Sequence, residues 1–88
     1  MAILVDQAVW PHRGELWAHL VSDVSYAELH AFAGRLGLPR RAFQTDHYDV
    51  PADVRDRALA LGAQPLAARE LVRRLRAAGL RRPHHSEA

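Results

Sequence analysis

The stretch SYAELHAFAGRLG, residues 25–37, constrains the fold of this 88-residue chain more than any other. Ser25 and Glu28 have the capping-box spacing, in which a hydroxyl and a carboxylate satisfy the free N–H groups of a helix start. Leu29, Phe32, Ala33 and Leu36 follow at i, i+3, i+4 and i+7, an apolar stripe along one helix face. Gly37 is placed to end the helix in a left-handed conformation. Such a stripe has to be buried, and the sequence around it offers apolar runs of strand length.

AILVD (2–6) is long enough for a buried strand. QAVWPHRGE follows, with Pro11 and Gly14 as turn punctuation. LWAHLVSD (16–23) reads as a second strand, with Leu16, Ala18, Leu20 and Ser22 on one face and Trp17, His19, Val21 and Asp23 on the other. RRAFQTD reads as a third. Pro51 fits the first position of a second helix that turns Val54, Ala58 and Leu61 inward and stops at Gly62. AQPLA is a fourth strand, placed at an edge by Pro65. ARELVRRLRAAG is a third helix with Leu71, Val72, Leu75 and Ala78 inward. The order β-β-α-β-α-β-α implies a small α/β sandwich with a mostly parallel four-stranded sheet. Its first link, about ten residues, is short for a parallel crossover. Strand one therefore pairs antiparallel with strand two or joins it by an irregular loop carrying Trp10. Residues 1–82 are expected to form a single α/β domain and residues 83–88 a flexible C-terminal tail.

Composition removes whole classes of chemistry. Hydrophobic residues make up 49% and charged residues 25%, as in a globular chain. No apolar run approaches the roughly 20 residues of a membrane span, and MAILVD lacks the basic start of a signal peptide, so a cytoplasmic place is expected. Without cysteine there is no disulfide, thiolate nucleophile or Cys-type zinc site. Lysine is absent too, which excludes pyridoxal phosphate and a Walker-type loop. All twelve basic residues are arginines, and six of them fall from Arg69 onward, so the pI of 9.9 belongs mostly to the last helix and tail.

TDHYDVP (45–51) is the densest polar cluster, just ahead of the second helix. Ligands of α/β domains usually bind at the carboxyl ends of parallel strands, and both Asp23 and the 46–49 segment are expected there. On a strand, His47 and Asp49 share a face about 6.6 Å apart, close enough for one ion. His19 and Asp23 would be about 13 Å apart, too far for one ion, and His19 reads as a satisfied, half-buried histidine. The expected metal set is Asp23, His30, His47 and Asp49, with His30 as an outer member. Asp46, His47 and Asp49 are the acid–base candidates. Mixed nitrogen and oxygen ligands suit zinc, manganese or iron. The structural alternative makes Asp49 a partner of the helix start, Asp23 a brace for the Ser25 turn and His47 a turn residue. Asp6, at the end of strand one, has the position of a nuclease carboxylate. Trp10, Trp17, Tyr26 and Phe43 read as core or interface residues rather than base-stacking platforms.

Arg69, Arg73 and Arg76 lie on the helix face opposite Leu71, Leu75 and Ala78, and Arg40 and Arg41 form a second pair. Arg40, Arg41 and Arg69 are the candidates for clamping an anionic group, although a solvated arginine face explains the same pattern. Because the domain ahead of Arg69 is net acidic, nucleic acid is the weaker partner and a small anionic ligand the stronger.

The strings ILVD, RGELWAHLVSD, ELHAFAGRLGLPRRAF, DHYDVP and RELVRRLRAAGL, in that order, resemble the small bacterial and phage proteins grouped as domain-of-unknown-function family 4031. The resemblance runs from Ile3 to about Leu80 and implies no assigned activity. Ala67 and Ala68 stand where such sequences often carry a serine or threonine cap.

Three functions follow as expectations. The first is a metal-dependent hydrolase acting on a phosphate-containing or nucleotide ligand. The second is a non-catalytic nucleotide or nucleic-acid binding module. The third is an interaction protein, such as a homodimer, paired through its tryptophans.

Overall fold

Two tight turns decide the architecture. The computed structural model describes residues 2–82, so the tail expected at 83–88 lies outside the described residues. Arg13 and Gly14 both have positive φ, 53° and 78°. That combination makes a two-residue type I′ hairpin turn, whose twist matches paired strands. Strands β1 (Ile3–Val5) and β2 (Trp10–His12) precede the turn, and both run antiparallel to β3 (Glu15–Ser22) after it. The second turn is Thr45–Asp46, with Thr45 at φ 57°. It folds β4 (Phe43–Gln44) back onto β5 (His47–Pro51), which pairs antiparallel with β3. Strand β6 (Gln64–Pro65) runs parallel to β1.

The sheet is therefore mixed and mostly antiparallel, with six strands in the order β4-β5-β3-β1-β6 and β2 also on β3. This corrects the expected mostly parallel four-stranded sheet. Parallel order follows from alternating strands and helices only when nothing reverses the chain between them, and each of these turns reverses it within two residues. TDHYDVP accordingly is not a loop at a strand end. It is a hairpin turn followed by a strand whose partners lie on both sides.

Val5 faces Leu20 and Trp10 faces Trp17, so residues 6–9 fit opposite only residues 18 and 19. This is an enlarged bulge of four residues against two, and Asp6 opens it. The Asp6 N–H donates to the His19 carbonyl at 3.2 Å. The return bond, from the His19 N–H, goes to Asp6 Oδ1 at 2.6 Å rather than to the Asp6 carbonyl. That carbonyl instead accepts from Arg55 Nε at 2.6 Å. A side chain has taken one rung of the ladder, and the N–H and C=O of both Asp6 and His19 are satisfied.

Helices α1 (Tyr26–Arg35) and α2 (Ala52–Ala60) cover one face of the sheet, where Ile3, Val5, Ala18, Leu20, Tyr48 and Val50 meet Leu29, Phe32, Ala33 and Ala58. Helix α3 (Ala68–Ala77) lies on the other, packing Leu71 and Leu75 on Leu4 and Val21. The Ser25 cap is present, with Oγ accepting from the Glu28 N–H at 3.0 Å. The Glu28 carboxylate, however, accepts from Ser22 Oγ at 2.6 Å, and Ser22 Oγ takes the Ser25 N–H in its place. Helix α3 starts at Ala67 with no side-chain cap. Among the described residues no helix is long and apolar enough to cross a membrane.

Candidate metal centre

Alternation along β3 and β5 puts Trp17, His19 and Val21, and His47 and Asp49, on the α3 face. Helix α3 packs directly on Val21 and leaves a cavity between itself and the polar residues next to it. His19 and Asp49 are direct cross-strand partners. His47 precedes Asp49 by two residues on the same strand, and its ring meets that of His19 edge-on at 5.2 Å. One ligand atom from each of His19, His47 and Asp49 falls within 4.8 Å of the other two. Zinc ligands of these types bind at about 2.0–2.2 Å, so small side-chain rotations close the three around one ion.

Each histidine is held from behind. His19 Nδ1 lies 2.8 Å from Asp6 Oδ2, and His47 Nδ1 lies 2.9 Å from Asp46 Oδ1. Both carboxylates are almost inaccessible, Asp6 at 3% and Asp46 at 1% exposure. A carboxylate on Nδ1 fixes the tautomer and turns Nε2 forward as a lone-pair donor, the arrangement found behind metal-bound histidines. The third ligand carries an unmet demand. Asp49 Oδ1 is buried with no hydrogen-bond partner, although it lies 3.2 Å from His47 Nε2. That contact is electrostatic rather than a directed hydrogen bond. Burial alone would lower the His47 pKa, but Asp49 and Asp46 outweigh it and raise it above the ordinary histidine value. The orphaned Asp49 oxygen and the raised His47 pKa both mark a spot where positive charge is favoured.

The donor set is two imidazoles and a carboxylate, with no thiolate. It fits zinc, iron(II) or manganese, and three protein ligands leave coordination positions open. Two hollows adjoin it. A groove of about 450 Å³ is lined by Asp49, Trp10, His12, Arg13, Trp17 and Gln44. A smaller cavity of about 170 Å³ lies under α3, between Asp6, Asp46, His19 and His47 and the apolar Leu71 and Leu75. Trp10 runs parallel to both His12 and His19, with ring centres 5.8 and 5.9 Å away.

The structure brings His47 and Asp49 together, with Asp46 behind them, but on a sheet face at the start of β5 rather than at carboxyl ends of parallel strands. Asp23 is elsewhere: its carboxylate accepts from Ala2 N at 2.8 Å and Arg74 at 2.7 Å, tying the start of β1 to α3. Burial would raise its pKa, but these partners lower it. His30 lies on the opposite face of the sheet, 2.8 Å from the Tyr48 hydroxyl and edge-on to Phe43. Burial, and then the charge of Arg40, lower its pKa. Arg40 and Arg41 are exposed in a 3-10 turn (Arg40–Ala42), and Arg69 is exposed on α3. None of the three lines either hollow. Arg73, from the same stripe, pairs with Glu70.

His19 and Asp6 were the residues sequence reasoning set aside. The signal for them was the RG dipeptide before an alternating strand. A two-residue hairpin there puts β1 antiparallel to β3 and brings Asp6 next to His19.

No curated protein and no solved structure matches the chain. A family model does, along residues 3–78. On that match, which covers most of the chain, the protein belongs to the family described as "Protein of unknown function (DUF4031)".

Proposed function

We propose that the protein holds one divalent transition-metal ion on His19 Nε2, His47 Nε2 and Asp49, and uses it to hydrolyse a small phosphate-containing substrate such as a nucleotide. The observation that carries this reading is the doubled carboxylate–histidine pair behind a buried, unpartnered carboxylate oxygen. An ion with open positions lowers the pKa of bound water toward neutrality and polarises a phosphoryl oxygen. With such an ion held by His19, His47 and Asp49, water would add to phosphorus as the bond to the leaving alcohol breaks, one water proton passing to solvent and the leaving oxygen taking one from it. The groove beside Asp49 admits the substrate, and Arg13 on its wall is the cation placed to meet an anionic group. In this arrangement Asp46 is a buried support for His47 rather than an acid or base. The reading takes the protein as cytoplasmic, on the sequence grounds given above.

The test starts with cobalt(II), whose visible absorption reports its ligands. One ion per chain is expected, together with zinc- or manganese-dependent release of nitrophenol from nitrophenyl phosphate esters. His19→Ala and Asp49→Ala should each abolish both. Binding of the ion without turnover of any ester would leave a metal-binding module and remove the hydrolase. No ion at all would remove the whole reading.

One observation favours the interaction module as a second reading. Val9, Trp10 and Leu16 on the β2–β3 hairpin are 66%, 42% and 49% exposed. An apolar hairpin of this kind can pair two copies of the chain. Sedimentation that shows a dimer, dissociated by Leu16→Glu, supports it, and a monomer at high concentration opposes it.

A further inference from the structure

Asp46 divides its carboxylate between two parts of the chain. Oδ1 faces His47 Nδ1. Oδ2 accepts from the backbone N–H of Arg82 at 3.1 Å and lies 3.4 Å from Arg81 Nη1. Both donors belong to the segment that follows α3, 35 and 36 residues away in sequence. That segment is itself anchored. The Tyr26 hydroxyl donates to the Leu80 carbonyl, the Arg82 guanidinium lies 4.3 Å above the Tyr26 ring, and the Leu80 N–H closes the end of α3 on Leu75.

We infer that the segment Leu80–Arg82 is a strap that sets the metal affinity of the site, acting through Asp46 on His47. The inference rests on the metal reading above and deepens it. Asp46 is the second residue of a two-residue turn whose first residue, Thr45, is β-branched and sits at positive φ, a conformation such residues rarely adopt. The turn gains little from its own backbone preference. A carboxylate there, at 1% exposure, needs donors for both oxygens. His47 supplies one and the strap supplies the rest. With the strap in place the Asp46 carboxylate cannot swing, so the His47 ring is held with Nε2 toward His19 and Asp49. With the strap lifted, Asp46 is free to turn toward water and His47 loses its orienting partner. Arg81 also lines the cavity under α3, so strap and metal centre share one wall. Anything that draws residues 80–82 away, such as a partner or a proteolytic cut, then releases the ion without touching a ligand.

The test compares variants of the full chain by cobalt(II) affinity and spectrum. Arg82→Pro removes the N–H that meets Asp46, whereas Arg82→Ala keeps it. Tyr26→Phe cuts the anchor at Leu80, and Arg81→Gln removes the charge on Oδ2. Outer partners of metal-bound histidines are worth roughly 10- to 100-fold in affinity, and Asp46→Asn should lose that much. Arg82→Pro should lose about tenfold, and Arg82→Ala clearly less. Arg81→Gln and Tyr26→Phe should fall between them. Arg73→Ala, on the exposed side of α3, serves as the unchanged control. A strap of purely structural value would lower the melting temperature in these variants while the folded protein bound cobalt as before. That outcome, or equal affinities for the Pro and Ala variants together with an unaffected Arg81→Gln, overturns the inference and leaves the metal reading standing. Failure of the wild-type chain to bind cobalt overturns both.

Discussion

The two faces of the sheet use the same strands and reach opposite ends. On β5, Tyr48 and Val50 point toward α1 and α2 and are fully buried, while His47 and Asp49 point toward α3. On the first face two helices leave polar groups only where a partner waits: His30 has the Tyr48 hydroxyl, and Phe43 packs on both. On the second face one helix covers β1 and the end of β3, and the remaining sheet holds two histidines and three carboxylates. Strand alternation therefore assigns residues to faces, but helix coverage decides whether a face becomes core or site.

The comparison is sharpest where a core residue is truncated. Tyr48→Ala should cost about 3–5 kcal/mol, the usual range for losing a buried aromatic, seen as a large fall in the denaturation midpoint. A loss under 1 kcal/mol would mean that the α1–α2 face is not the stabilising one. On the other side, Ala67→Ser supplies the cap that α3 lacks and should raise stability by about 1 kcal/mol, with cobalt binding unchanged. Asp49→Asn should be smaller still. It removes a charge whose Oδ1 is buried without a hydrogen bond and whose neighbour His47 is largely neutral at alkaline pH. At pH 8 the metal-free protein should therefore be unchanged or up to about 1 kcal/mol more stable, while cobalt binding is lost. A loss of several kcal/mol would mark Asp49 as a structural residue.

The smallest effect separates the faces by sign. His47 has a raised pKa, so its contribution to stability is full below the unfolded value of about 6.5 and fades as pH rises through its folded value. His30 has a lowered pKa, so its contribution is full above about 6.5 and fades as pH falls. In metal-free protein, His47→Gln should remove a decline toward alkaline pH and His30→Gln a decline toward acid. Parallel changes in both variants, followed by melting temperature against pH, would break the contrast.

Much of this was legible in the sequence, and the misses share one cause. Three helices, most of their apolar stripes and the Ser25 cap follow from local spacing, because helix signals are written within a few residues. Leu61, expected inward, is instead exposed at the end of α2. Pro65 announced the edge strand that β6 became. Strand direction is not local. It hung on Arg13 and Thr45, two residues outside the Asn, Asp and Gly group that usually marks positive φ. Setting residues 46–49 at the carboxyl end of a parallel strand then put the cluster in the wrong place on the sheet. His47 and Asp49 were correctly set on one face, yet Asp23 and His30 were grouped with them because strand ends, not a sheet face, were taken as the crevice. His19 was set aside because it lies too far along its strand from Asp23; it is the satisfied, half-buried histidine expected, and its partner is Asp6, reached across the bulge.

The bulge at residues 6–9 also acts as a register buffer. It absorbs two surplus residues between β1 and β2, so the two strands keep independent registers on β3. The Arg13–Gly14 turn fixes β2 on β3 whatever the length of residues 6–9, so gaining or losing one residue there leaves Trp10 and His12 on their face and Asp6 beside His19. The hairpin wall of the groove is thus independent of the length of the bulge. Lineages of such chains should vary in length at 6–9 in odd and even steps alike.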